Sequence, residues 1–262
     1  VFLRCILLIM NRLLGLVGRD IKYSYSQVIA DEYFKQNNIN AHYSIFDISS
    51  VDDIDKIVVS NENLCGFNVT IPYKEAILPL LNSVSDEVLQ IGAVNCVVVE
   101  RNALSPGKYG LKGYNTDYKA FKSVLESLKK PFHNSAIILG TGGAAKAVAY
   151  SFKLMNIPYL FVSRTKCDAS TILYSNLSEV DFDKYNIIVN ATPCGTSGFK
   201  NQLPPFFPFS KLRKSLLLID LVYNPSVTPL TNECMKYGCV VENGMKMLQL
   251  QAYLFYRLLD LA

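Results

Sequence analysis

The stretch "IILGTGGAAKA" sets Gly140, Thr141, Gly142, Gly143 and Ala144 between an apolar run and an alanine-rich one. A strand that turns into a helix through such glycines presents backbone N–H groups at the positive helix end, where a pyrophosphate can sit. Taken alone, the same glycines also suit a tight strand-to-helix turn that needs their dihedral freedom. The next apolar run decides more, because it ends "VSRTK". An NAD site carries an acidic residue near this point for the ribose hydroxyl, whereas Arg164 and Lys166 can pair with a 2′-phosphate. The pattern predicts a dinucleotide site that prefers NADP to NAD.

A second set of residues could move a proton or hold a polar ligand. Lys74 follows the β-branched run of "GFNVTIPYKEAI" and reads either as an exposed amine at a helix start or as a working one. Asp117, behind Asn115 and Thr116, suits a helix N-terminus. Gln251 lies close to the apolar stripe of the last helical segment, where an unpaired amide would be costly, so it needs a partner. The chain has two histidines, His42 and His133, and neither falls in a motif.

Composition bounds what these residues serve. A chain of 262 residues with 50% hydrophobic and 18% charged content can bury a sizeable core as one large domain or two ordinary ones. The net charge of +4 is spread along the chain, which implies neither nucleic acid nor a membrane surface and suits an anionic small molecule. Seven cysteines without C-x-x-C spacing read as reduced thiols of a cytoplasmic protein, and no metal set is predicted. "VFLRCILLIM" looks like the start of a signal peptide, but its apolar run is short, no small-residue cleavage site follows and Arg12 closes it, so residues 1–10 are expected to be a short extension, with Met10 as the natural first residue.

The elements that must position these groups alternate. Strands are expected at "LLGLVG", "AHYSIFDI", "GFNVTI" and "AVNCVVVE", with helices at "VIADEYFKQNNI", "DDIDKIVVS" and "PYKEAILPLLN", the last opened by Pro72. A second unit follows, with helices at "GYNTDYKAFKSVLESLKK" and after the glycine turn. Its apolar strands at "SAIIL", "YLFVSRT", "NIIVNATP", "SLLLIDLVY" and "GCVVENG" suit a parallel sheet covered on both faces. In the last helix Met247, Leu250, Leu254 and Leu258 form one stripe that must dock.

With these pieces in order, the chain resembles the shikimate dehydrogenase family from about Asn11 to Tyr256. The motifs that carry the resemblance are "IKYSYSQ", "NVTIPYK", "IGAVNC", "GYNTD", "GTGGAAKA", "SRT", "NATPCG", "DLVYNPSVTPL" and "NGMKMLQLQA". The resemblance implies an α/β fold with an N-terminal α/β substrate domain at 11–114, a Rossmann-type NADP-binding domain at 115–243, and a C-terminal helix, 244–262, returning to the first. It implies reversible NADPH-dependent reduction of 3-dehydroshikimate to shikimate, on the route to chorismate and the aromatic amino acids, by a monomer or homodimer.

By motif position Lys74 and Asp117 are the family's catalytic pair. Ser24 and Ser26, on alternate positions of a loop, match its carboxylate binders, and Thr70, Asn95 and Gln251 its binders of ring hydroxyls. Tyr223 lines the same pocket. For the cofactor the matches are Gly140, Thr141, Gly142, Gly143 and Ala144 at the phosphates, and Ser163, Arg164, Thr165 and Lys166 at the adenosine phosphate. Asn190, Ala191, Thr192, Leu221 and Gly244 fall at the nicotinamide half. Without the resemblance Thr70 reads as a strand residue, Asn95 as a turn former and "NATP" as a strand exit. The chain departs from the family pattern at Tyr23, Gln27, Cys96, Ser163 and Asp168, which bears on loop rigidity and on the strength of the NADP preference. Two other readings stand beside this one: a quinate/shikimate dehydrogenase with relaxed cofactor use, and a non-catalytic member of the fold that senses a metabolite.

Overall fold

Apolar runs bounded by turn residues become strands in both halves of the chain. The computed structural model describes residues 11–101, 107–165, 170–196, 199 and 202–262. The expectations for residues 1–10, Lys166 and Asp168 lie outside them. The chain divides into two units, one holding the chain up to Thr116 together with Gln251–Ala262, the other Asp117–Leu250.

The first unit runs β1 (Arg12–Gly18), α1 (Ser26–Gln36), β2 (Ala41–Asp47), α2 (Ile54–Ser60), β3 (Leu64–Val69), α3 (Tyr73–Ala76), β4 (Ser83–Val84), α4 (Asp86–Ile91), β5 (Cys96–Arg101) and β6 (Tyr109–Tyr114). Its sheet has the order β2-β1-β3-β5-β6-β4. β1 pairs in parallel with β2 and β3, and β5 is antiparallel to β3 and β6. One face buries Val17, Phe67, Val69 and Val97. The other buries Leu14 and Leu16 with Ala30, Phe34, Phe255 and Tyr256. There Tyr256 stacks on Tyr33, with ring centroids 4.9 Å apart.

Three expectations are corrected here. The helix expected over "PYKEAILPLLN" is one turn, α3, then a 3-10 turn at Leu78–Leu80. Pro79 has no N–H to continue the ladder and clashes with a helical residue before it. Pro72 stands just before α3 and not in its first turn. The segment "GYNTD" is the end of strand β6 and its exit, and the helix starts only at Asp117. β6 alternates too weakly, with Gly110 and Gly113 within it, to show as a strand by period.

The second unit runs α5 (Asp117–Leu128), β7 (Ala136–Leu139), α6 (Gly143–Leu154), β8 (Tyr159–Ser163), β9 (Thr171–Leu173), β10 (Ile187–Asn190), β11 (Leu217–Asp220), α7 (Pro229–Lys236), β12 (Val240–Glu242) and α8 (Met245–Leu258). All its strand pairs are parallel, in the order β12-β11-β10-β7-β8-β9. This is the doubly wound Rossmann order, with its reversal between β7 and β10. Successive side chains of each strand point to opposite faces. Ile138, Val189, Leu217 and Ile219 meet Phe121, Val124 and Phe152 on one face; Ile137, Leu139, Ile188 and Leu218 meet Leu177, Phe182 and Leu230 on the other. Phe121 and Phe152 pack edge to face at 5.4 Å. Such a pair contributes about 1 kcal/mol beyond its buried area.

Helix α8 contributes Met245–Leu250 to the second unit and its remainder to the first. The stripe expected on it is corrected: Met247 is buried, but Leu258 is 39% exposed, and the buried positions further on are Gln251, Ala252, Phe255 and Tyr256. The two aromatics carry more apolar area than Leu254 and Leu258, and they set the facing side. No helix among the described residues is long and apolar enough to cross a membrane.

Candidate active site

In the first unit the candidates converge on a buried amide network. Asn95 leads into β5, and its Oδ1 accepts from the Thr116 N–H at 2.7 Å. Its Nδ2 donates to Thr116 Oγ1 at 2.9 Å and to Gln251 Oε1 at 3.2 Å. Asn68 Nδ2 donates to the same Gln251 oxygen at 3.4 Å, and Tyr43 donates to Asn68 Oδ1 at 2.8 Å. The Thr116 hydroxyl donates onward to Gln251 O at 3.1 Å. The side chain of Gln251 is therefore met by two amides, Asn68 from β3 and Asn95 from the turn before β5, while the Thr116 hydroxyl at the exit of β6 holds its main-chain carbonyl. Asn68, Thr116 and Tyr43 escaped the sequence reading as partners, although Asn68 stands in "NVT".

Lys74, Thr70 and Asp117 are each held by their own stretch of chain. The Val94 N–H, beside Asn95, donates to Lys74 O at 2.8 Å, which ties the backbone of α3 to the same turn. Lys74 itself is half-buried. Thr70 leaves β3, its N–H donating to Val17 O at 2.9 Å and its carbonyl accepting from Tyr73. Asp117 is buried as the first residue of α5, directly after the pinned Thr116. A carboxylate in that first turn meets the positive end of the helix dipole.

Ser24 and Ser26 come together, the Ser24 hydroxyl donating to Ser26 Oγ at 3.0 Å and accepting from the Ser26 N–H at 3.2 Å. Ser26 is buried as the first residue of α1, not on the loop that its spacing predicts. Two hydroxyls at a helix N-terminus suit an anion such as a carboxylate.

In the second unit the candidates stand at the carboxyl ends of β7, β8, β10 and β11, on both sides of the order reversal, where ligands bind in this fold. Gly140 follows β7 with φ +99°, a left-handed conformation that side chains rarely adopt. Thr141 and Gly142 lead into α6, whose first residues are Gly143 and Ala144. Among the described residues nothing lies within 4 Å of where a Cβ would stand on Gly142. Neither φ nor packing demands glycine there, so the open space fits a phosphate group approaching the backbone.

Ser163 ends β8 and accepts from the Thr165 N–H at 3.3 Å. Arg164 is exposed on the wall of a cavity of about 220 Å³, lined also by Leu173, Tyr174, Ser175, Pro205 and Phe206. Asn190 is fully buried at the end of β10, and its Oδ1 accepts from Thr192 N–H and Oγ1 at 3.2 and 2.6 Å. Ala191 O and Thr192 Cγ2 lie 3.3 and 3.2 Å from where a Cβ on Gly140 would stand, so this turn adjoins the glycine turn. Leu221 and Tyr223 follow β11. A Cβ on Gly244 would stand 2.1 Å from Leu221 O, so only glycine fits there.

A model of the shikimate dehydrogenase substrate binding domain matches residues 16–97. A shikimate dehydrogenase (NADP(+)) of Clostridium botulinum (strain 657 / Type Ba4) is 37% identical over 249 residues, which cover 91% of this chain and 93% of the relative. The chain belongs to the shikimate dehydrogenase family. The crystal structure of shikimate dehydrogenase 1 from Peptoclostridium difficile matches with a TM-score of 0.79 and 32% identity, over 95% of this chain and 91% of that one. That of the Thermus thermophilus shikimate 5-dehydrogenase, in complex with NADP(H) and shikimate, has a TM-score of 0.79 at 27% identity, covering 95% and 93%.

Among shikimate dehydrogenase positions that depart from the family pattern, Cys96 is buried in β5 and its thiol approaches Tyr114 O at 3.8 Å. Ser163 accepts from the Thr165 N–H at 3.3 Å, and Arg164 between them is exposed. Among the described residues no group of three His, Cys, Asp or Glu side chains could hold a metal ion.

Proposed function

We propose that the protein is a shikimate dehydrogenase that reduces 3-dehydroshikimate reversibly to shikimate with NADPH. Family membership supports the reaction, and the observation that carries it to these residues is the buried set of Asn68, Asn95, Thr116 and Gln251. Four fixed amide and hydroxyl groups in one place suit a small polyhydroxylated ring, whose hydroxyls both donate and accept.

The substrate carboxylate is assigned to Ser24 and Ser26 at the start of α1, and the ring hydroxyls to Thr70, Asn95, Gln251 and Tyr223. Bound NADPH supplies the hydride. As the ketone carbon gains it, charge grows on the oxygen and a proton must arrive there. Lys74 and Asp117 are assigned as the pair that holds and passes that proton, and in the reverse direction takes it from the hydroxyl. On the cofactor side, Gly140 to Ala144 receive the pyrophosphate, Arg164 the 2′-phosphate, and Asn190 to Thr192, Leu221 and Gly244 bound the nicotinamide half. The five described cysteines are free thiols, in keeping with the cytoplasm as its compartment.

The test is absorbance at the nicotinamide band with purified protein, shikimate and NADP, repeated with quinate and with NAD. Turnover with shikimate and NADP above the other combinations is expected. No turnover with any of them would refute the proposal and leave the sensing role.

A further inference from the structure

Asp220 ends β11 fully buried, and no motif reasoning gave it a task. Its Oδ1 accepts from Asn190 Nδ2 at 2.8 Å and from the Val222 N–H at 3.1 Å; its Oδ2 accepts from the Thr228 hydroxyl at 2.7 Å. These three donors are neutral, and they come from three segments. Asn190 in turn holds Thr192 by two hydrogen bonds. Val222 O accepts from the Gly244 N–H at 3.0 Å, and Leu221 O is the atom that forbids a side chain at Gly244. The exits of β10 and β11 and the start of α8 are thus tied to one carboxylate.

We infer that Asp220 is a positioning residue, whose carboxylate fixes the turns at Ala191–Thr192 and Leu221–Val222 that bound the nicotinamide half of the dinucleotide. This rests on the cofactor assignment made above. A carboxylate suits the task because it only accepts, so three converging donors are satisfied at once and cannot be met by a rotated amide. Burial pushes its carboxyl up to about 6, against the opposing hydrogen bonds from Thr228, Val222 and Asn190.

The competing role is structural. Thr228 caps α7, its Oγ1 accepting from the Thr231 N–H at 3.1 Å, so Asp220 could serve only to hold that cap. The two roles use different oxygens, which allows them to be separated. Thr228→Val keeps the side-chain shape and removes the Oδ2 contact together with the cap on the Thr231 N–H, leaving both Oδ1 contacts in place. Asp220→Asn keeps an acceptor at Oδ1, provided its amide nitrogen faces Thr228. Asp220→Ala removes both.

The measurement is NADPH affinity by quenching of nicotinamide fluorescence, alongside chemical unfolding of each variant. Asp220→Ala is expected to weaken NADPH binding about tenfold. Asp220→Asn is expected to stay within about threefold of wild type, and Thr228→Val within about twofold although it unfolds more easily. If the alanine variant does not fold, Asp220→Ser takes its place with the same expectation, since a hydroxyl cannot serve all three donors. Unchanged affinity in the alanine or serine variant, or an equal loss in Thr228→Val, would overturn the inference. Absence of NADPH binding by the wild type would instead refute the cofactor assignment beneath it.

Discussion

Replacing Asp220 by Asn should change how stability depends on pH, in a direction fixed by its surroundings. The carboxyl is fully buried, and burial raises its pKa from 3.8 to about 6 in the folded protein. Each pKa unit corresponds to about 1.4 kcal/mol, so the two-unit rise amounts to about 3 kcal/mol. Because the folded value lies above the unfolded one, the folded state holds the proton more tightly. The stabilisation this brings is fully present below pH 4 and is lost as pH rises through 6. Relative to Asp220→Asn, which does not titrate, the wild type should therefore lose about 3 kcal/mol between pH 4 and pH 7. Denaturant unfolding of both proteins at half-unit pH steps reads this difference, and other titrating groups cancel in the subtraction. A difference that stays flat, or that grows in favour of wild type with rising pH, would refute the reasoning. In that case the three hydrogen bonds outweigh burial, and the carboxylate is at ease in its site.

Lys74→Ala should depress turnover about 10²- to 10⁴-fold while shikimate binding changes far less, since the lost interaction belongs mainly to the transition state. Equal losses in single-turnover rate and in binding would make Lys74 a binding residue. The wild type should use NADPH at least about tenfold better than NADH in kcat/KM, and Arg164→Ala should remove most of that preference, because an arginine–phosphate pair is worth that much. Equal use of both by the wild type would count against Arg164 and its neighbours as a 2′-phosphate site. Gln251→Leu takes an acceptor from both Asn68 and Asn95, and should cost about 1–3 kcal/mol in unfolding and raise the KM for shikimate. An unchanged KM would leave the network structural only.

Local order was readable wherever a residue's neighbours in sequence are also its partners. The turn at Gly140 to Ala144 shows in its glycines, because the positive φ at Gly140 and the helix start at Gly143 are properties of adjacent residues. The parallel strands of the second unit show in their unbroken apolar runs, since both faces of that sheet are covered. The short strand β4 and the glycine-broken β6 did not show. They hold their place by pairing along the sheet, Ser83 beside Lys112 and Val84 beside Gly113, and no period in their own residues records that. The failed stripe on α8 has the same origin: which side of a helix is buried depends on the surface it meets, and that surface is formed by residues 33, 34 and 66, far away in sequence.

The site divides along the same line. Motifs named Asn95 and Gln251 separately, but 156 residues separate the two ends of their hydrogen bond. Spacing says that Gln251 needs a partner and reads Asn95 as a turn former, without saying that the two are partners of one another. Asp220 is the stronger case: it opens the motif "DLVYNPSVTPL", which gives it no role, and in the residues themselves a buried carboxylate with three neutral donors shows only as a charge that interrupts the apolar run "LLLIDLVY". That interruption was the available signal. A charge at the end of a strand in a sheet covered on both faces must be met by donors from the neighbouring strand exits. In a doubly wound sheet, the strand exits beside the order reversal are where the ligand binds. Reading such a charge as an organiser of the exits, before asking whether it touches a ligand, follows from burial energetics alone.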